Sequence, residues 1–439
     1  MPSSSRRVIA VATAAVIATV DLFFCHAFLV PTTVVTHHPR RETSFIASPI
    51  RDWPASESRR LHVTSMEGSG EGGDRREIVV VGLNGALQRT VVFQPPKGLR
   101  VGGVNRASSV GAGIGGKGQN VCVALTMMSE GDRKEEDGVG VHITLAHFSG
   151  GKSGESVCER LAGLGVSLVT AETEADMRQC TSLVDERLGE TTEIIEPWTA
   201  KITEKEQQGL VEACKATFAD LPRVHGVAVM GSSPDGVGEQ THKDIMNALA
   251  QSPGFMGADT RVVVDSLVGF QALVDTGHVS LLKVNAEEVL ALAETGRADG
   301  GDDAEATVWM EDKLASAAAE LFARHGQCLP WIAVTNGGLP CYLFGREFLE
   351  DDGTLSSFWR LNPAPVNPIN PIGAGDAVAA ATLYEWTRGA KLPEAFRRGL
   401  SVGGAACTSR DPLCSSSFSL EEANRLLPEV RMEQMMRKK

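Results

Sequence analysis

From residue 77 onward, apolar runs of strand length alternate with stretches of helical periodicity, and this alternation constrains the fold most strongly. The apolar runs are EIVVVGLNGA, VHITLAHFSGG, VHGVAVMGSSP, TRVVVDSL, HVSLLKVNAEE and PWIAVTNGG. Helical stretches such as KSGESVCERLAGLG and DKLASAAAELFARHG lie between them. Such alternation predicts an α/β fold with a mostly parallel central sheet and helices on both of its faces.

Two segments, residues 89–110 and 179–197, depart from this pattern. Each reads as a pair of alternating strands without an intervening helix. They predict a small additional β-sheet, which we expect to form a lid. In open parallel sheets ligands bind at the carboxyl ends of the strands. The small and polar residues that end the apolar runs therefore predict a site there.

The N-terminal residues have a different composition. Residues 1–66 carry seven arginines and four acids, a net charge of +3, although the whole chain has a formal net charge of −13. A basic start, a short apolar run and the small residues before position 28 predict a signal peptide over residues 1–27. Residues 28–76, rich in Arg, Ser and Thr, predict a transit-peptide-like segment and a flexible junction, ahead of one domain over 77–439.

This arrangement resembles the bipartite presequence of algae whose plastids are reached through the secretory route. Plastid is therefore the predicted location, with the secretory pathway as the alternative. We expect no membrane segment in the mature form. Asp21 and the shortness of the apolar run argue against an anchor, since a span needs about 20 apolar residues.

Charge and cysteine usage exclude other classes of function. A net charge of −13 disfavours a nucleic-acid-binding protein, because phosphate contacts need clustered Lys and Arg. The nine cysteines include no CxxC pair, and the chain has no HExxH. Their scatter through apolar segments predicts buried free thiols rather than disulfides or a zinc site.

The stretch NPINPIGAGDAVAAAT at 367–382 carries the clearest chemical signal. A Gly-Ala-Gly turn that opens a helix points backbone N–H groups at one spot, which is a site for an anion. Asp376 follows directly and could take the proton of a hydroxyl that attacks a phosphorus held there. Taken alone, the same residues could form a tight turn with a helix-capping aspartate.

Three motifs together resemble the PfkB, or ribokinase-like, carbohydrate kinases. GGKGQN at 115–120, LLKVNAEE at 281–288 and NPIGAGD at 370–376 occur in the order and spacing of that family. LNGALQRT, GGVNR, MRQCTSL and GSSPDGV further resemble the branch that phosphorylates sugar phosphates, such as 1-phosphofructokinases and tagatose-6-phosphate kinases. The resemblance implies a ribokinase-like fold and a kinase that uses ATP and Mg²⁺.

The resemblance also implies a role for each matching residue. Asp376 would be the catalytic base, and the anion hole would be formed by Gly373, Ala374 and Gly375. The sugar or sugar phosphate would be bound by Asn84, Gln88, Gly115, Gly116, Lys117, Asn120, Arg178 and Glu193. ATP would be bound by Lys283, Asn285, Thr335, Gly337, Gly338 and Asn370. Asn285 and Glu288 would hold Mg²⁺, largely through water. Lid sheets of this family often pair between subunits, which implies a homodimer.

The chain departs from the family pattern at two places. Gln88 stands where the family usually has an Asp that accepts hydrogen bonds from sugar hydroxyls, and Gly85 replaces a proline. Pro340 stands where a glycine near the adenine is common. These departures leave the identity of the sugar open and could alter the shape of the nucleotide site.

Three functions are therefore compatible with the sequence. The first is an ATP-dependent kinase of a fructose- or tagatose-phosphate-like sugar phosphate. The second is a kinase of an unphosphorylated sugar or a nucleoside. The third is a PfkB-fold plastid scaffold or regulator with little catalysis, which Gln88 favours but the retained Asp376 disfavours.

Overall fold

The computed structural model describes residues 63–64, 75–132, 140–293, 304–409 and 417–437. Its strands are β1 (Val63–Thr64), β2 (Arg76–Val81), β3 (Ala86–Phe93), β4 (Ser109–Gly115), β5 (Val141–Ser149), β6 (Ser167–Glu172), β7 (Gln179–Asp185), β8 (Glu190–Ile195), β9 (Val224–Met230), β10 (Arg261–Asp265), β11 (Leu281–Asn285), β12 (Trp331–Thr335), β13 (Cys341–Gly345), β14 (Ser357–Asn362) and β15 (Arg431–Met436).

The helices alternate with these strands along the chain. They are α1 (Lys117–Asp132), α2 (Gly151–Gly163), α3 (Glu204–Phe218), α4 (Glu239–Ala250), α5 (Phe270–Val274), α6 (Ala286–Ala293), α7 (Ala304–His325), α8 (Ala374–Thr387), α9 (Leu392–Cys407) and α10 (Leu420–Leu426). Within the described ranges, no helix is both long enough and apolar enough to cross a membrane.

The large sheet has eleven strands in the order β1-β6-β5-β2-β9-β10-β11-β12-β13-β14-β15. The strands from β6 to β12 in this order are mutually parallel. Their valine-rich interiors are buried, as expected for strands covered by helices on both faces. The predicted α/β fold with a mostly parallel sheet is confirmed.

The edges of the large sheet are antiparallel, which the sequence analysis did not specify. On one side, β13, β14 and β15 each pair antiparallel with the preceding strand. On the other side, β1 pairs antiparallel with β6, Val63 lying opposite Val169. Strand β1 therefore lies inside the segment predicted as a transit peptide and junction. Most of that segment, and the whole predicted signal peptide, lie outside the described residues.

A separate four-stranded sheet has the order β4-β3-β7-β8. Strands β7 and β8 lie within the predicted segment 179–197, but β3 begins before residue 89 and β4 lies mostly beyond residue 110. Strand β3 pairs antiparallel with β4 and parallel with β7, and β7 pairs antiparallel with β8. We call these four strands the lid sheet. The predicted second sheet is thus confirmed, and β3 and β4 connect it directly to the turns at 82–85 and 115–116.

Close packing of three helices fixes the position of the GAGD motif. Helix α8 contacts both α9 and α1, and its residues from Asp376 to Tyr384 are all buried. The small residues of AVAAAT let neighbouring helices approach closely. A side chain at Gly399 of α9 would collide with Thr382 of α8. The seven cysteines within the described ranges are free, as predicted, and four of them are buried.

Candidate active site

The Gly-Ala-Gly-Asp turn forms the beginning of α8. Gly373 precedes the helix with a φ of 78°, a left-handed conformation that favours glycine. The N–H groups of Asp376 and Ala377 donate to the Gly373 carbonyl oxygen at 3.1 and 3.0 Å. These contacts fix the Asp376 side chain in the first turn of the helix, where the helix dipole favours negative charge.

Asp376 is buried and has one direct amide partner. The Nδ2 atom of Asn120, on α1, donates to its Oδ2 atom at 2.8 Å. Burial raises the pKa of Asp376 to about 6, while the ammonium group of Lys117 opposes the shift and the carboxylate of Asp265 adds to it. The group is therefore ionised at neutral pH and is more basic than an ordinary aspartate, as a general base requires.

Two lysines that are far apart in the sequence meet on one buried carboxylate beside Asp376. The Nζ atom of Lys117 lies 2.7 Å from Oδ1 of Asp265, and the Nζ atom of Lys283 lies 2.7 Å from Oδ2. Asp265 ends β10 and is 1% exposed. Burial would raise its pKa, but the ammonium groups of Lys283 and Lys117 outweigh this and lower it.

These lysines also face the start of α8 and the acidic residue of α6. A Cβ atom at Gly375 would lie 3.0 Å from the Lys283 Nζ atom, so the absence of a side chain leaves room for the ammonium group. Lys117 Nζ lies 3.7 Å from Glu288. Burial lowers the pKa of Lys117, but the carboxylates of Asp265, Asp376 and Glu288 together raise it.

Asn285 and Glu288 form a reciprocal pair at the start of α6. The N–H of Asn285 donates to Glu288 Oε2, and the N–H of Glu288 donates to Asn285 Oδ1, both at 2.8 Å. Thr335, at the end of β12, lies opposite Asn285 in the ladder. The predicted metal and ATP residues are thus held together at the carboxyl ends of β11 and β12.

The other predicted ATP residues lie in loops that follow strands. Gly337 has a φ of 56° in the turn after β12, and Gly338 follows it in the same exposed turn. Asn370 lies in the loop before α8, where its Oδ1 atom accepts from the Ile372 N–H at 3.1 Å and its own N–H donates to the Cys407 carbonyl. Asn370 thereby fixes the approach to the GAGD turn.

On the sugar side, Asn84 connects several segments. Its Nδ2 atom donates to Ser232 Oγ at 2.9 Å and to the Ser233 carbonyl at 3.2 Å, and its Oδ1 atom accepts from Trp198 Nε1 at 2.8 Å. Arg178 Nη2 donates to the Asn84 carbonyl oxygen at 3.3 Å. Among the described residues, the buried Nε atom of Arg178 has no hydrogen-bond partner.

Gln88 is buried in β3 of the lid sheet. Its Nε2 atom donates to Ser182 Oγ at 2.8 Å and to the Arg89 carbonyl at 3.3 Å. A backbone carbonyl can only accept a hydrogen bond, so it is the amide nitrogen of Gln88, and not its oxygen, that faces the Arg89 carbonyl. A Cβ atom at Gly115 would lie 3.1 Å from the Gln88 Oε1 atom. Gln88 therefore presents its carbonyl oxygen beside Gly115.

Gly116 and Glu193 complete the predicted sugar residues. Gly116 has a φ of 98°, and a Cβ atom there would lie 2.9 Å from the Asn84 carbonyl oxygen, so the backbones approach closely. Glu193 is exposed on β8, opposite Ser182 in the ladder. The structure therefore brings Asp376, Asn120, Lys117, Lys283 and Glu288 into one cluster. Glu193 lies on the lid sheet and is not part of this cluster.

Sequence reasoning did not identify Asp265, Trp198, Ser182, Ser232 or Ser233. Asp265 had a local signal, because it ends the apolar run TRVVVDSL in the same way that other candidates end theirs. Ser182 stands in MRQCTSL, and Ser232 and Ser233 stand in GSSPDGV, but these motifs gave the serines no individual role. Trp198 stands in none of the motifs. Their relevance depends on contacts such as that between Trp198 and Asn84, which are 114 residues apart in the chain.

A family profile described as pfkB family carbohydrate kinase matches residues 76–416, which is most of the chain. The chain belongs to the PfkB family. Its catalytic class is therefore that of a carbohydrate kinase. In this PfkB kinase, the three motifs that are far apart in sequence converge on the cluster around Asp376.

Solved structures of low sequence identity share this fold. Phosphofructokinase-2 from Escherichia coli, in complex with substrates and products, is 22% identical with a TM-score of 0.62, over 80% of this chain and 98% of that one. A protein described as a possible 1-phosphofructokinase from Thermotoga maritima is 20% identical with a TM-score of 0.59, over 82% and 100%. Ribokinase from the same organism is 16% identical with a TM-score of 0.55, over 80% and 99%.

Proposed function

We propose that this PfkB kinase transfers the γ-phosphoryl group of ATP to a hydroxyl of a sugar phosphate, with Asp376 as the general base. The observation that carries the proposal is the environment of Asp376. It is buried at the N-terminus of α8, its pKa is raised to about 6, and two lysines lie in the same cluster.

Asp376 and Asn120 would act on the acceptor hydroxyl. Ionised Asp376 accepts the proton as the hydroxyl oxygen attacks, and the Asn120 amide holds the carboxylate in position from 2.8 Å away. Little other covalent chemistry is required of the protein, because phosphoryl transfer depends mainly on positioning and charge stabilisation. Lys117 and Lys283 supply positive charge next to the Gly373-Ala374-Gly375 turn.

The chain's residues fit Mg·ATP. Lys283 lies over Gly375, where a side chain would crowd its ammonium group. Mg²⁺ usually keeps several waters and binds one or two carboxylates together with substrate phosphates, so Glu288 with Asn285 is a suitable donor pair. Bound ATP supplies the phosphoryl group, and Mg²⁺ neutralises its charge. Thr335, Gly337, Gly338 and Asn370 would line the nucleotide end.

Arg178 supports a substrate that already carries a phosphate. Its guanidinium group lies at the base of the lid sheet, close to Asn84, and its buried Nε–H has no protein partner among the described residues. An arginine suits a phosphate because its planar fork can make two parallel hydrogen bonds. Gln88, Gly115, Gly116 and Lys117 would contact the sugar, and Glu193 would close the rim. A fructose- or tagatose-phosphate-like substrate is the class proposed.

The test is the Asp376→Asn variant, which removes the base and keeps the shape. We expect turnover to fall by roughly 10²–10⁴-fold, with the Kd for ATP changed by less than about threefold. Because the folded state raises the pKa of Asp376, its ionised form opposes folding above about pH 6. The variant should therefore unfold at no lower urea concentration than the wild type at pH 7.5. Turnover within a few-fold of the wild type would show that Asp376 is only a helix cap and not the general base.

We also propose a homodimer formed through the lid sheet and the loop between β3 and β4. Apolar side chains are exposed there, namely Val101, Val104, Val110, Leu188, Ile194 and Ile195. An exposed apolar patch of this kind often marks an interaction site. Sedimentation should show a dimer that Ile194→Asp together with Ile195→Asp converts to a monomer. A monomeric wild type at micromolar concentration would contradict this proposal.

We further propose that residues 1–62 direct the protein to a plastid. The support is the signal-like start over residues 1–27 and the Arg-rich, acid-poor composition of the residues that follow it. A fluorescent protein fused behind residues 1–62 should enter plastids of an algal host. The tested segment ends at residue 62 because strand β1, which begins at Val63, pairs with the large sheet. Secreted or cytosolic fluorescence would contradict the proposed address.

A further inference from the structure

The lid sheet is joined to the remainder of the domain at four crossings, and contacts among these crossings centre on Asn84. The chain crosses at residues 82–85, 115–117, 173–178 and 196–199, before or after β3, β4, β7 and β8 respectively. Asn84 lies in the first crossing, contacts Arg178 in the third and contacts Trp198 in the fourth. Gly116, in the second, packs against its carbonyl oxygen.

Trp198 is unusual for its part of the chain. It is 7% exposed, whereas residues 192–197 and 199–200 on either side are exposed. Its indole Nε1 donates to Asn84 Oδ1 at 2.8 Å. The next residue, Thr199, accepts from the Asp176 N–H through its Oγ1 atom at 2.7 Å. The fourth crossing is thus bonded to the first and the third.

The contacts of Asn84 continue into the phosphate end of the site. Both hydrogens of its amide go to the turn at Ser232 and Ser233, and the N–H of Gly231 in that turn donates to the Asp265 carbonyl at 2.7 Å. A Cβ atom at Gly231 would lie 3.2 Å from Lys117. A continuous path of contacts therefore leads from Trp198 to the residue that binds both lysines.

We propose that Trp198 is a positioning residue, which holds the lid sheet over the sugar site by fixing Asn84. Without the indole N–H, the side-chain Oδ1 atom of Asn84 loses its donor, while the Nδ2 atom stays bonded to the 231–233 turn. The lid crossings would then move more independently of the large sheet. ATP binding should be unaffected, because its proposed residues lie at β11, β12 and α8.

The experiment compares Trp198→Phe with Trp359→Phe, since each removes an indole N–H and keeps an aromatic ring. Trp359 lies on β14, which is next to the edge strand β15 of the large sheet. For Trp198→Phe we expect the KM for the sugar substrate to rise roughly 5–10-fold, the usual worth of one buried hydrogen bond. We expect kcat and the KM for ATP to change less than about twofold. Trp359→Phe should leave all three unchanged.

Hydrogen–deuterium exchange supplies a readout that does not need activity. Amide exchange at residues 84–88 and 177–183 should be roughly 5–10-fold faster in Trp198→Phe and unchanged in Trp359→Phe. Asn84→Ala approaches the same bond from its other end. In that background, Trp198→Phe should add no further change in exchange or in the KM for the sugar.

The two readouts separate this inference from the proposed function, on which its kinetic part rests. An active wild-type kinase, with exchange and the KM for the sugar unchanged in Trp198→Phe, would overturn the role of Trp198 and leave the kinase proposal standing. Faster exchange at both crossings in a protein without kinase activity would support the role of Trp198 and contradict the kinase proposal. Equal effects of the two tryptophan variants would show that Trp198 only packs.

Discussion

Replacing Asp265 by Asn should destabilise the protein strongly, although no sequence motif singles this residue out. The carboxylate is 1% exposed and accepts hydrogen bonds of 2.7 Å from both Lys117 and Lys283. The Lys283 side chain is 6% exposed, so its ammonium group would stay buried without the carboxylate to which it is bonded. Removing one partner of a buried ion pair costs about 3–5 kcal/mol. Lys117 is 40% exposed, so solvent would compensate much of the interaction that it loses with the Asp265 carboxylate.

The assay is urea unfolding at pH 7.5 of the wild type, Asp265→Asn and the double variant Asp265→Asn/Lys283→Met. The single variant should lose about 3–5 kcal/mol of unfolding free energy. The double variant should recover at least about 1 kcal/mol of that loss, because the uncompensated charge is gone. Asp259→Asn serves as the control, since Asp259 and Arg223 form an exposed ion pair with N···O 3.9 Å. That pair is worth at most about 1 kcal/mol.

The dependence on pH provides a second check. The lysines lower the pKa of Asp265 in the folded state, so its contribution to stability is fully present above the ordinary aspartate range and is lost as the pH falls through the lowered value. The difference between the wild type and Asp265→Asn should therefore be constant near neutral pH and should shrink in acid. A single variant within 1 kcal/mol of the wild type, or a double variant less stable than the single one, would refute the reasoning.

Three further predictions concern the proposed reaction. Because Asp376 must be ionised and its pKa is about 6, kcat/KM should be level above about pH 7 and fall about tenfold per unit below pH 6. A profile that is flat down to pH 5 would contradict this. Arg178→Ala should weaken a sugar phosphate roughly 10–100-fold more than its unphosphorylated analogue, and equal effects would favour a kinase of free sugars or nucleosides. Gln88→Asp should change the ranking of kcat/KM among fructose 1-phosphate, fructose 6-phosphate, tagatose 6-phosphate and the free sugars. An unchanged ranking would show that position 88 does not set specificity.

The large sheet and the lid sheet were predictable because their signals are local. Valine runs such as EIVVVG identify strands buried on both faces, and the alternation in residues 89–110 and 179–197 identifies strands without helices. Strand β15 was not predictable in this way. Its sequence RMEQMM is mostly exposed, and it is a strand only because β14 offers an edge for pairing.

The candidate site likewise contains residues that have a local sequence signal and residues that do not. Asp376, Lys117 and Lys283 stand in motifs whose order and spacing are readable in the sequence. Asp265 joins the two lysines although it is 148 residues from Lys117 and 18 from Lys283. Such pairing depends on which strand ends become neighbours. The order β9-β10-β11 that places Asp265 there is a property of the folded sheet.

The structure also changes what is expected of Gln88. From the sequence, Gln88 in place of an aspartate left the identity of the sugar open and favoured the scaffold function. In the structure, Ser182 and the Arg89 carbonyl take the amide hydrogens of Gln88. The oxygen that remains beside Gly115 is an acceptor, as a carboxylate would be, although without its charge. This arrangement favours a retained sugar contact over the scaffold function.

The most direct test of the central claim is to incubate the full chain with Mg·ATP and each sugar phosphate separately, and to follow the products by phosphorus NMR. The proposal predicts ADP and a sugar bisphosphate in equal amounts with at least one fructose or tagatose phosphate. Asp376→Asn should slow the appearance of both products by roughly 10²–10⁴-fold. Formation of a monophosphate only from unphosphorylated sugars would contradict the substrate class, and no ADP with any of the sugars would contradict the proposed kinase activity.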